Sequence, residues 1–193
     1  MARTVNALQE KARKDQLVRA AYAAIYEHGY AAVTLADIAR AAGVSKGTLV
    51  YYFGSKEALF KTVLTRFVRT IAVSTARAVR LERDPLRKLQ VFVENQFYGL
   101  ENTRRFYTVY LDFLSASTKQ AELLEVTRAF FEVSDLLDLS LAQFGQGDDP
   151  QGQAWQLRAL IDGLSIRFLF DPEADLEVYR ARCLSGMRAI LGL

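Results

Sequence analysis

Two lysines and five hydroxyl side chains gather in one short stretch: Lys46 and Lys56 with Thr34, Ser45, Thr48, Tyr51 and Tyr52. Ammonium and hydroxyl groups are the chemistry of a surface that holds a polyanion. Lys46 can reach a phosphate or a guanine edge, Thr48 can bond a base or touch a thymine methyl, and the phenols can donate to phosphate oxygens. Gly47, between Lys46 and Thr48, removes a side chain where approach is closest.

Catalytic and metal chemistry find little support. One Cys and one His provide neither a disulfide framework nor a zinc or iron–sulfur cluster. No Walker loop or Gly-x-Gly-x-x-Gly occurs, and Gly145-x-Gly147 runs into Pro150, so it reads as a surface loop. Asp148 and Asp149 read as solvated acids of that loop. We therefore expect no catalytic residues, no metal and no cofactor.

The elements that must position the Thr34–Phe60 stretch are helical. Only 3 prolines and 11 glycines punctuate 193 residues, and apolar positions recur at helical spacing throughout. Val18, Ala21, Tyr22 and Ile25 mark a first helix ending at Gly29. Thr34 and Asp37 resemble a capping box opening a short second helix that stops at Gly43. Ser45 caps a third helix to about Phe53, and Ser55 a long fourth, with Phe60, Val63, Leu64, Phe67, Val68 and Ile71 on its stripe. Asp84-Pro85 breaks the chain before a fifth helix. An aromatic-rich sixth spans Asn102 to Ser117, a long seventh follows, and two more lie beyond the Gly145–Gly152 loop and Asp171-Pro172. The expected fold class is all-α, with about nine helices.

Ala39, Gly43 and Leu49 have the spacing of a helix-turn-helix. The small residue permits a close crossing, glycine takes the left-handed turn, and leucine locks the second helix against the first. In such a unit the second helix enters the major groove with its N-terminal residues, here Ser45 to Thr48, at the base edges. Charge agrees: residues 1–56 carry eight basic residues, Arg3 among them, against four acidic ones, while the whole chain is only +3.

The run Thr34-Leu35-Ala36-Asp37-Ile38-Ala39, Ala42-Gly43-Val44-Ser45-Lys46-Gly47-Thr48-Leu49 and Tyr52-Phe53-Gly54-Ser55-Lys56-Glu57-Ala58-Leu59-Phe60 strongly resembles the DNA-binding domain of TetR-family regulators. The resemblance covers about residues 11–64. It implies a three-helix DNA-binding domain at 1–56, a helical effector-binding and dimerisation domain at 57–193, and repression of a palindromic operator relieved by a small molecule. It implies phosphate contacts from Thr34, Tyr52 and Lys56, and a base-reading surface of Ser45, Lys46, Gly47, Thr48 and Tyr51. One departure stands out: Val50 occupies a position where the family often has a tyrosine that grips the backbone.

Tyr110-Leu111-Asp112-Phe113-Leu114-Ser115-Ala116 and Ala159-Leu160-Ile161-Asp162-Gly163-Leu164 are similar to the BetI-like subgroup of choline-sensing regulators. Aromatic rings with a few polar groups are typical of ligand linings, which makes Phe92, Gln96, Phe97, Tyr98 and Phe106 candidates. Tyr107, Tyr110, Phe113, Phe131 and Trp155 complete the set. A flat aromatic or quaternary-ammonium effector would suit them. For a homodimer, the apolar stripes of the last two helices offer Leu157, Leu160, Ile161, Leu164 and Phe168, then Tyr179, Cys183 and Met187, with Gly163 and Gly186 allowing close approach.

No window approaches the roughly 18 apolar residues of a membrane span, and the N-terminus has no signal-peptide core, so a cytoplasmic protein is expected. The alternative reading is an effector-independent DNA-binding protein whose C-terminal domain only dimerises.

Overall fold

The computed structural model describes the backbone of residues 2–193 and the side chains of 7–67 and 69–193, so the side chains of Arg3 and Val68 lie outside the described residues. Among the described residues the chain forms nine α-helices and no strands. They are α1 (Ala2–His28), α2 (Leu35–Ala42), α3 (Lys46–Phe53), α4 (Lys56–Leu81), α5 (Pro85–Gln96), α6 (Leu100–Ser117), α7 (Ala121–Ala142), α8 (Pro150–Leu169) and α9 (Leu176–Leu191).

Short side chains set the helix starts. At α2 the capping box closes in both directions: the Asp37 N–H donates to Thr34 Oγ1 at 3.2 Å, and the Thr34 N–H donates to Asp37 Oδ2 at 3.0 Å. The Thr34 hydroxyl, which donates to Asp37 Oδ2, and then the Thr34 N–H hold the Asp37 carboxyl below its usual range. Ser45 accepts from the Thr48 N–H at 3.1 Å, and Ser55 from that of Ala58 at 3.1 Å. Asp84 caps α5, with Pro85 in its first turn, where a missing N–H costs nothing. Gly43, at φ +65°, reverses the chain between α2 and α3, a backbone state that side-chain-bearing residues rarely adopt.

Packing divides the chain into two compact units. The first comprises residues up to Phe67 with Val109–Thr127. Leu17, Ile25, Ile38, Leu49, Leu59 and Phe60 are fully buried in it. The second half of α6 belongs to this unit, held there by Tyr30. The Tyr30 N–H donates to Asp112 Oδ2 at 2.9 Å, its hydroxyl to Gln120 Oε1 at 2.5 Å, and its ring packs edge-on to Phe60 at 4.7 Å.

The second unit comprises Val68–Thr108 and Arg128–Leu193. Leu89, Phe92, Phe97, Leu141, Leu157, Ile161, Phe168, Cys183 and Met187 form its core. The stripes of α8 and α9 expected to meet a second copy face this core instead. Leu157, Ile161, Phe168, Tyr179, Cys183 and Met187 are buried within the chain, and Leu160 and Leu164 pack against them. A fully buried aliphatic side chain contributes about 1.5–3 kcal/mol, and that contribution is already made internally.

The two glycines explain the difference. A Cβ on Gly186 would lie 2.7 Å from Leu160 Cδ2, so this glycine lets α8 and α9 close on each other. A Cβ on Gly163 would meet nothing within 4 Å. The outward face of α8 carries Trp155, Ala159, Gly163 and Ile166, with exposed Phe170 capping its end, and that of α9 carries Val178, Ala181, Ser185 and Ala189. Trp155 is 66% exposed and Phe170 81%.

Candidate functional site

The helix-turn-helix comes from α2 and α3, locked by Leu49 at zero exposure beneath the turn. Four consecutive residues of helical α3 divide among its faces, and the outward set is Lys46, Gly47, Val50 and Tyr51. Tyr51 is 82% exposed and Val50 44%. Ser45 and Thr48 also lie at this end, but their hydroxyls bond each other at 3.0 Å while Ser45 caps the helix. Their first task is to start α3, which leaves Lys46 to supply the positive charge at this end.

Around α3 stand the other groups expected to meet phosphate. Tyr52 is half-buried, its ring 5.2 Å from that of Tyr51, and the Lys14 ammonium of α1 lies 5.9 Å above it. Sequence reasoning missed Lys14, because a lysine some forty residues upstream gives no local signal that it will share a surface with α3. Lys56 is half-buried, its ammonium 5.2 Å from the centre of the Tyr30 ring and 5.5 Å from that of Phe60. Cation–π contact thus anchors its charge at the start of α4. Thr34 is exposed, with its hydroxyl hydrogen donated to Asp37 at 2.6 Å.

The expected effector lining is divided. In the second unit Gln96, Phe97, Phe106 and Tyr107 come together. The Phe97 and Tyr107 rings lie 6.2 Å apart, those of Phe106 and Tyr107 4.7 Å, and the Tyr107 hydroxyl donates to Gln96 Oε1 at 3.5 Å. Phe92 is core and Phe131 half-buried. Tyr98 and Trp155 are exposed, because each projects from the outward side of its segment, so neither lines the interior of this unit. Tyr110 and Phe113 are buried in the first unit, where Phe113 packs on Tyr30 at 6.0 Å.

A charged cluster in the second unit was also missed. Arg158 grips Asp138 with two hydrogen bonds, Nε to Oδ2 at 2.8 Å and a terminal nitrogen to Oδ1 at 2.9 Å, and the carboxylate is only 1% exposed. Burial lifts the Asp138 carboxyl to about 6, although Arg158 pulls the other way. Burial also raises Asp162, whose carboxyl feels the same guanidinium. Burial opposes the charge on Arg158, but Asp138 and Asp162 outweigh it and raise its pKa. Tyr107 lies close enough to feel this field as well. Arg158 is thus paired with Asp138, and Asp162 and Tyr107 lie within its electrostatic reach. Among the described residues there is no cluster of His, Cys, Asp and Glu fit to hold a metal, and no helix long and apolar enough to cross a membrane.

Residues 17–63 match the family described as bacterial regulatory proteins, tetR family, and residues 85–192 match the BetI-type transcriptional repressor C-terminal family. The HTH-type transcriptional regulator BetI of Stenotrophomonas maltophilia is 33% identical over 162 residues, 82% of each chain. That of Vibrio atlanticus is 28% identical over 176 residues, 89% of this chain and 87% of its own. Among solved structures, a transcriptional regulator from Rhodococcus sp. Rha1 superposes with a TM-score of 0.85 at 20% identity, covering 93% of this chain and 96% of its own. A Saccharomonospora viridis regulator, solved in complex with choline, gives 0.84 at 22% with the same coverage.

Fold and site define an HTH-type transcriptional regulator, and its relatives are regulators rather than enzymes. The chain belongs to the tetR family of bacterial regulatory proteins, in its BetI-type branch.

Charge removal tests whether this surface meets DNA. Lys14→Ala, Lys46→Ala and Lys56→Ala should each weaken operator binding, and the slope of log affinity against log salt should fall by about 0.9 for each phosphate left without its lysine. Affinity against salt, measured by fluorescence anisotropy, checks this. A variant with wild-type affinity and slope removes its lysine from the interface.

Proposed function

We propose that the protein is a dimeric repressor that holds a two-fold symmetric operator and is released from it by a small cation of the quaternary-ammonium class. The DNA-binding domain is assigned to 1–56 and the effector and dimerisation domain to 57–193. The observation that carries the effector reading is the buried Asp138 carboxylate, bonded twice by Arg158, with half-buried Asp162 and Tyr107 in the electrostatic reach of the same guanidinium. Two acids to one base near an aromatic group are a setting that suits a cation without hydrogen-bond donors. The choline bound by the Saccharomonospora viridis regulator agrees with this chemistry.

The outward face of α8 and α9 supports dimerisation. Ala159, Gly163, Ala181, Ser185 and Ala189 are small enough for two copies to approach closely, while Trp155, Ile166 and Phe170 would be covered. Two-fold protein symmetry imposes two-fold symmetry on the operator, with one α3 in each of two successive major grooves. Three helices can transmit effector binding, since α4, α6 and α7 each continue from one unit into the other. The Asp112 carboxylate on α6 holds the Tyr30 N–H, so a shift of α6 pulls on the loop ahead of α2. An effector acts only if it binds better to the conformer whose α3 pair misses successive grooves.

Selection from a random duplex pool tests this function. It should return an inverted repeat bound by two chains. Choline should raise the melting temperature of the wild-type protein, and Asp162→Asn should lose that response while keeping operator affinity. An unsymmetric site, or one bound by a single chain, contradicts the dimeric repressor.

A further inference from the structure

The outward face of α3 contains two residues that the fold itself does not require. Gly47 lies in the helix without positive φ, and a Cβ added there would meet only Ser45 Oγ, at an ordinary 3.6 Å. Glycine in a helix gives up stability relative to alanine, and here neither backbone conformation nor internal packing asks for it. Val50, one turn further along, leaves an apolar side chain 44% exposed among groups otherwise suited to water. Residues three apart on a helix are surface neighbours, as are residues four apart, so Val50 flanks the gap left at Gly47 and stands beside Lys46. Together they make a notch with an aliphatic wall and a cationic rim.

The major groove presents one apolar group at its base edges, the C5-methyl of thymine, and acceptors on guanine for a neighbouring cation. We propose that Gly47 and Val50 read a thymine methyl in each half-site, with Lys46 placed to meet an adjacent guanine edge. The inference rests on the DNA-binding reading and adds to it the chemistry of one base position. It also gives Val50 a task different from gripping the backbone: the position specifies sequence.

Substitution of thymine by deoxyuridine, which removes only the methyl group, gives the test. Thymines of the selected operator are replaced one symmetric pair at a time, and affinity is measured for the full-length protein. For the wild type, one pair should weaken binding about fourfold per half-site, the worth of one buried methyl-sized group. Val50→Ala should bind the thymine and deoxyuridine duplexes equally at that pair, at close to the affinity of the wild type for the deoxyuridine duplex. Gly47→Ala should melt no lower than the wild type, since helix propensity improves, yet bind operator about tenfold more weakly because the notch is filled. Wild-type indifference to every thymine replacement, undiminished discrimination by Val50→Ala, or full affinity of Gly47→Ala each overturns the proposal while leaving operator binding standing. Failure of the pool to yield any preferred sequence overturns the DNA-binding reading along with it.

Discussion

Gly163→Arg should yield a folded monomer that no longer holds the operator. The site is open, with nothing within 4 Å of an added Cβ, and it lies on the outward face of α8. Replacing a mid-helix glycine raises helix propensity by up to about 1 kcal/mol, so the chain itself should melt no lower. Against a second copy the result reverses. A guanidinium on each chain meets its own image near the two-fold axis, where charge is desolvated and repelled. Loss of the second DNA-binding head removes the gain from linked binding, and operator affinity should fall by roughly 10²–10⁴. Sedimentation velocity and anisotropy read the two halves of this expectation. A variant that stays dimeric places the interface elsewhere. Leu160→Asp, by contrast, should unfold or loosen the second unit, since Leu160 fills the space above Gly186.

Arg158→Met should be the most destabilising single change in the second unit. It leaves the Asp138 carboxylate buried without its partner, a loss of about 3–5 kcal/mol where a buried ion pair is broken from one side. That is a large share of the ~5–15 kcal/mol that holds typical proteins together. The pH dependence identifies the cause. Asp138 is already raised to about 6, above the ~3.9 of an unfolded aspartate, so its proton binds more tightly in the native state. Stability from such a group is fully present below the unfolded pKa and is lost as pH rises through the native one. Without Arg158 the native pKa rises further, so the variant should be much weaker at pH 7.5 and recover at pH 5. Adding Asp138→Leu should restore most of the melting temperature at pH 7.5. Equal destabilisation at both pH values assigns the loss to packing rather than to the stranded charge.

The helix-turn-helix elements were legible because local chemistry fixes them. Thr34, Asp37, Gly43 and Ser45 each act within a few residues, and the capping box, the left-handed turn and the start of α3 follow from those types alone. The stripes of α8 and α9 were legible as helices but not as interfaces. Periodicity tells which face is apolar and not whether the chain's own core or a second copy will cover it. Gly163 and Gly186 look alike in sequence, and only the packing of Leu160 separates them. Asp138 and Arg158, on different helices, leave no pattern by which their pairing could be read. Trp155 was expected in a lining because aromatic rings favour burial, whereas its place on α8 turns it outward.

Effector control is tested most directly on the intact complex. A fluorescent duplex carrying the selected operator, held at half-saturation by the protein, is titrated with choline while anisotropy is read. Choline should release the duplex over the same concentration range in which it raises the melting temperature of the free protein, since linkage makes the two effects reciprocal. An operator that remains bound at choline concentrations far above that range, or a protein that choline does not stabilise, contradicts release by a quaternary ammonium. Should a wider panel of small molecules also leave the complex intact, the protein is a DNA-binding dimer without an effector.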